Sequence, residues 1–191
     1  MKKLLAAGGM GVGVTAFAAL VMMVAALAFS VAVDGTSMEP TLRDGDRMFL
    51  EFWTHDEIER FDVVETDAPS SVSGGGARIL KRVIGMPGDQ VSVSPDARVL
   101  VRPEGDRRTY VVDNPAWSAD AGVEQDWITV PPDAYWLLGD NWNASTDSRN
   151  FGFVDAEAVH GRVVFRMLPI GRSGTIAHDV RLAPVEPGST R

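Results

Sequence analysis

The chain has 191 residues, 45% hydrophobic and 23% charged, which is ordinary usage for one globular domain and excludes a disordered or fibrous chain. Its net charge of −8 is unevenly placed: residues 1–33 carry only Lys2 and Lys3, so from Asp34 onward 16 basic residues face 26 acidic ones, and a net −10 argues against nucleic acid as a partner. With no Cys there is no disulfide, thiolate metal site or cysteine nucleophile, and the scattered His55, His160 and His178 match no zinc spacing.

From Leu4 to Val33 the chain runs 30 residues without a charge, whereas the apolar part of a secretory signal peptide is about 7 to 15 residues long. The better-packed 22 residues, 12–33, make about 33 Å of helix, enough for a hydrocarbon core of about 30 Å. A cleaved signal peptide stays as the alternative, because small residues at 28–33 offer an exit point. Lys2 and Lys3 before the span hold the N-terminus in the cytoplasm, so residues 34–191 face outward.

The outward part reads as mainly β. Short β-branched or aromatic runs occupy 47–53, 62–65, 78–84, 90–93, 98–101, 109–112, 127–130, 134–138 and 159–168, separated by Gly, Pro, Asp and Asn clusters. One helical turn is expected at 155–158, a flexible loop at 70–76 and a polar surface excursion at 103–126. The organisation expected is therefore a cytoplasmic start and single transmembrane helix (1–33), an extracytoplasmic β domain (34–170) and a flexible tail (171–191).

Three segments carry candidate chemistry. In Asp34-Gly-Thr-Ser37-Met-Glu-Pro40-Thr-Leu, Gly35 permits a backbone forbidden to other residues and Pro40 fixes the chain beyond Ser37, so the loop can present one hydroxyl; alone, a Ser near Gly and Pro is a turn residue. In RILKRVIGMPGD (78–89), period-2 alternation puts Lys81 between Ile79 and Val83 on one face and Arg82 between Leu80 and Ile84 on the other. Burial would lower a lysine pKa while arginine stays protonated; the alternative is that both snorkel to water. In GDNWNASTDSRNFG (139–152), Asp140 and Asn141 form turns and Asp147 with Arg149 can pair across a tight loop, which also suits a plain β-connection.

Taken together the segments point to acyl chemistry. A serine needs a base, no His lies in any of the three, and a neutral lysine can take the proton. Ser145 or Ser148 could orient the Lys81 amine, and backbone N–H groups near Ser37 could bind an oxyanion.

Motif by motif and in order over most of 34–168, the chain resembles the bacterial type I signal peptidases. GTSMEPTL is similar to the family's nucleophile box, FDVV to its short second box, LKRVIGMPGD to its lysine box and the GDN…S-x-DSR segment to its last box. The resemblance implies a mostly antiparallel β catalytic domain, Ser37 as nucleophile with its backbone N–H as an oxyanion donor, and Lys81 as general base. It implies further that Ser145 positions Lys81 and that Asp147 and Arg149 support the site. The substrates implied are preproteins bearing signal peptides, with small residues at the first and third positions before the cut; no metal or organic cofactor is implied. Gly35 stands where some members carry a serine whose hydroxyl joins the oxyanion hole, a pattern similar to Gram-positive members.

Ser37 follows Val33 by four residues, so it lies within about 15 Å of the expected span's end, at the membrane surface where lipid is the neighbour. Met38 and Trp53 are candidates to rest in the interfacial layer, with Phe49 and Phe52 equally suited to core packing. Two other readings are a dedicated Ser-Lys peptidase for one client, such as a pilin or conjugation factor, and a non-enzymatic membrane-tethered β-domain. Self-cleaving repressors also use Ser and Lys, but the span and the acidic charge argue against a DNA-linked protein.

Overall fold

The computed structural model describes residues 3–28, 30–51, 58–72, 76–117, 124–176 and 179–185. A helix α1 (Lys3–Ala28) is followed by β1 (Val31–Ala32), β2 (Arg47–Glu51), β3 (Val63–Asp67), β4 (Arg78–Gly85), β5 (Gln90–Val93), β6 (Val99–Arg102), β7 (Tyr110–Asp113), β8 (Gln125–Thr129) and β9 (Ala134–Leu138). A one-turn helix α2 (Ser148–Phe151), β10 (Val154–Asp155), β11 (Val159–Leu168), β12 (Gly174–Thr175) and β13 (Arg181–Pro184) complete the chain.

Among the described residues eight strands form one sheet in the order β1-β2-β11-β3-β4-β9-β10, with β12 on β11, and five form a second in the order β13-β7-β6-β5-β8. Every strand pairing is antiparallel. Alternation decides the faces: on β2 Met48 and Leu50 point inward between half-buried neighbours. Strand β9 is buried at every position, because its two faces serve different clusters. Trp136 and Leu138 join Ile84 and Val91 in one, and Tyr135 and Leu137 join Val64 and Val83 in another. A third cluster gathers Met38, Leu42, Met48, Val63 and Val163 under the loop that carries Ser37.

Two boundaries differ from the sequence expectation. The helix stops at Ala28, since Val31 pairs with Met48 and draws 31–32 into the sheet as its edge strand. Arg47 closes the last helical turn by donating to the Leu27 carbonyl (2.7 Å) and Ser30 Oγ (2.8 Å). Ser37 therefore follows the helix by nine residues, up to about 32 Å of extended chain, a looser bound than the sequence suggested. The tail after 170 is not loose throughout: β12 pairs with β11, and β13 pairs with β7 over four residues.

The backbone of α1 is helical over 26 residues, and each described side chain from Val14 to Ala25 is exposed. Among the described residues, however, no helix is long and apolar enough to cross a membrane. Phe52 and Trp53 lie outside the described residues.

Candidate active site

Gly35 opens the Ser37 loop at φ +95°, a left-handed conformation that L side chains rarely adopt, and its N–H donates to Asp44 Oδ1 (2.9 Å). Met38 and Leu42 are buried in the cluster beneath and joined by a Leu42 N–H to Met38 carbonyl bond of 2.9 Å, which fixes the turn from below. Met38 is thus a core residue that also borders the site, and cannot rest in lipid as expected: it is 1% exposed. From the side, Asn141 donates its N–H to the Ser37 carbonyl (3.0 Å) and its Nδ2 to the Thr36 carbonyl (3.1 Å). The Ser37 N–H makes no hydrogen bond among the described residues, whereas the Gly35 N–H is already spent on Asp44.

Lys81 and Arg82, adjacent on β4, are both buried, at 3% and 1% exposure, so neither snorkels. Arg82 is compensated by charge: its Nε donates to Asp140 Oδ1 (2.8 Å), its Nη2 to Oδ2, and its Nη1 to the Phe61 carbonyl (2.7 Å). Lys81 has no such partner among the described residues. Its Nζ lies 2.9 Å from Ser37 Oγ and 2.9 Å from the Leu80 carbonyl. Burial disfavours the ammonium and lowers the Lys81 pKa from the usual 10.5 to about 8, against the opposing pull of Asp147 and Asp140. The pair opens into a cleft of about 380 Å³ lined by Val31, Ala32, Met38, Glu65 and Leu80 among others.

The 139–152 segment braces this pair. Asp147 caps α2 and receives Arg149 through both carboxylate oxygens (2.8 Å each), while its Oδ2 also accepts the Gly139 N–H (3.0 Å). Arg149 reaches the Trp142 carbonyl and stacks 4.0 Å over the Trp142 ring. Ser148 Oγ accepts the Leu137 N–H (2.9 Å), tying it to β9 rather than to the amine. Ser145 Oγ, expected to position Lys81, is buried and makes no hydrogen bond among the described residues; the Lys81 amine is held by Ser37 and the Leu80 carbonyl. Ser145 packs instead against Gly139, where a Cβ would stand 2.2 Å from its Oγ and 2.5 Å from the Ser37 carbonyl oxygen. Gly139→Ala should therefore cost about 1–3 kcal/mol in denaturant unfolding and displace the Ser37 turn, with loss of activity. A variant of unchanged stability and rate would show that this close approach has no consequence.

Residues outside the expected set also converge here. Asn114 donates to Asp140 Oδ1 (3.2 Å) and Trp117 Nε1 to the Gly139 carbonyl (3.1 Å), so part of the 103–126 excursion supports the site. The sequence marks Asp140 and Asn141 only as turn formers, because their partners lie far away along the chain.

The family model for signal peptidases, peptidase S26, matches residues 9–168. The chain belongs to this signal peptidase family. It is a serine endopeptidase, 36% identical over 159 residues to a probable signal peptidase I-2 of Synechocystis, covering 81% of this chain and 69% of that one. This signal peptidase is also 31% identical over 179 residues to the signal peptidase I of Streptococcus pneumoniae, covering 76% and 85% of the two chains. A crystal structure of a signal peptidase I from Enterococcus faecalis aligns at 26% identity with a TM-score of 0.44, over 56% of this chain and 96% of the other.

Proposed function

We propose that the chain is a membrane-anchored signal peptidase I that releases exported preproteins from their signal peptides, with Ser37 as nucleophile and Lys81 as general base. The observation that carries this reading is a lysine amine buried without a carboxylate partner and 2.9 Å from a serine hydroxyl. In its neutral form Nζ takes the Ser37 proton as Oγ attacks the scissile carbonyl carbon. The resulting ammonium gives that proton to the leaving amine, and the acyl group stays on Oγ. The amine, neutral again, then takes a proton from water; the water oxygen attacks the ester and Ser37 leaves with the proton. The free Ser37 N–H is the donor nearest in sequence to the developing oxyanion. Asp147 and Arg149 act at one remove, by holding the 139–152 segment against the turn.

The cleft suits an extended peptide. Strand β4 meets β9 only from Arg82 onward, which among the described residues leaves the β9-side edge of 78–81 without a strand, and β1 is the edge of the sheet. A substrate strand laid along the free β4 edge would gain main-chain hydrogen bonds and bring its scissile bond to Ser37. Anchoring is supported by the charge-free run 4–33 and by Lys2 and Lys3 before it, which favour a cytoplasmic N-terminus. Retention in the membrane pellet after alkaline carbonate, with residues 34 onward digestible from outside spheroplasts, is the expected outcome; release into the supernatant would remove the anchor.

The pH profile tests the base directly. Because a base must be neutral and the Lys81 pKa is about 8, kcat/KM for preprotein cleavage should fall about tenfold per pH unit below 8 and level off above it. A rate that stays flat between about pH 9 and pH 5 would leave Lys81 without this role.

A further inference from the structure

We propose that a second cleft, walled by Arg43, Arg166 and Arg172, is a binding site for a phosphate group, the chemistry shared by a phospholipid headgroup and a free phosphate. The cleft measures about 360 Å³ and shares no lining residue with the one at Ser37 and Lys81. Four arginines line it but only one carboxylate, that of Asp179, in a domain whose net charge is −10.

One of the four, Arg82, is already compensated, because Asp140 holds it in the buried pair described above. The other three gather on a single buried carboxylate. Asp46, 1% exposed, accepts the Arg43 N–H (3.0 Å) and Arg172 Nη2 (2.5 Å), with Arg166 Nη1 at 3.8 Å. Arg166 is fixed further by donating Nη1 to the Thr41 carbonyl (2.7 Å) and Nε to the Arg172 carbonyl (2.6 Å). The donors left over are the Arg43 guanidinium, Arg172 Nε and Nη1, and Arg166 Nη2, which make no hydrogen bond among the described residues. Three guanidiniums against Asp46 and Asp179 leave a positive excess, and two of the three are held in place before anything binds. Donors arriving from three separate side chains suit a tetrahedral anion better than a planar carboxylate.

Position favours the lipid source. Asp46 directly precedes Arg47, which closes the last turn of α1, and Arg166 pairs with Met48 on the neighbouring strand. Between Arg166 and Arg172, the turn at 170–172 carries Ile170 outward, 80% exposed. Arginines beside an outward apolar side chain at the end of a membrane helix lie at headgroup depth, so this source, unlike the site itself, rests on the membrane-anchored reading above.

The test is thermal unfolding of the full chain in a neutral detergent, with two titrations at constant ionic strength. In one, sodium phosphate replaces chloride; in the other, phosphatidylglycerol replaces a phosphate-free glycolipid in mixed micelles. At least one should raise the unfolding midpoint by about 3–6 °C at about ten times Kd. Arg43→Gln removes no side-chain hydrogen bond among the described residues, so the fold is kept, and it should weaken the apparent affinity about tenfold. Arg172→Gln should weaken it at least as much, and Asp179→Asn should strengthen it. Arg107→Gln, the same loss of charge outside the cleft, should change nothing. A shift with phosphatidylglycerol makes a lipid headgroup a ligand, and a shift with phosphate alone makes the ligand a soluble phosphate; either upholds the site. No shift in either titration, a shift that Arg43→Gln leaves intact, or one that Arg107→Gln reduces equally overturns it. Release of the chain by alkaline carbonate would remove the anchored reading and its lipid source, while the phosphate titration would still decide the site.

Discussion

Lys81→Ala should slow preprotein cleavage in detergent by a factor on the order of 10⁴ to 10⁶, with the folded structure retained, and Ser37→Ala should do the same. The size follows from the geometry. Ser37 Oγ has one basic nitrogen at 2.9 Å, and with Nζ removed it keeps no hydrogen-bond partner among the described residues to take its proton. Since nucleophile and base act as a unit, the double variant should be no slower than either single one. Lys81→Arg should not restore the rate, because a guanidinium stays protonated and cannot accept the serine proton. An acylating serine probe adds a readout independent of turnover: it should modify Ser37 in the parent enzyme and leave Lys81→Ala unlabelled over the same time. Near-normal turnover by either alanine variant would remove the mechanism.

How far these groups are legible in the sequence depends on the range of the signal. The period-2 pattern of 78–84 is local, and it suffices by itself to separate Lys81 and Arg82 onto opposite faces. That both are buried is not local: Asp140, which compensates Arg82, lies 58 residues further on, and the Ser37 turn that receives Lys81 lies 44 residues back. The longer strands are legible because apolar alternation marks them, and 90–93, 134–138 and 159–168 have the expected bounds. β1 and β10 have two residues each, too short for any period, and exist only because a neighbour pairs with them. β13 ends in Pro184 and follows a Gly- and Ser-rich stretch, so its composition resembles coil; its pairing with β7 is what makes it a strand. Ser145 fails for a related reason. A motif places a hydroxyl in the right segment, but the direction of that hydroxyl depends on the close packing at Gly139, which no spacing encodes.

The second large effect is on stability, and it comes from the buried pair one residue along from the base. Arg82 and Asp140 are 1% and 0% exposed at their side chains, so either one without the other is a charge in a low-dielectric interior. Arg82→Met and Asp140→Asn should each cost about 3–5 kcal/mol in denaturant unfolding, a large share of the about 5–15 kcal/mol that folds a typical domain. Replacing both with apolar residues should cost much less than the sum, because no uncompensated charge remains; additive losses would show that the pair is not coupled. The same carboxylate is felt at the active site. Asp140 favours the charged form of Lys81, so its removal should lower the Lys81 pKa further and move the acid limb of the pH profile below that of the parent enzyme. Measured on the folded fraction of Asp140→Asn, a limb that moves upward instead would mean that the dominant effect of the substitution is a misplaced amine.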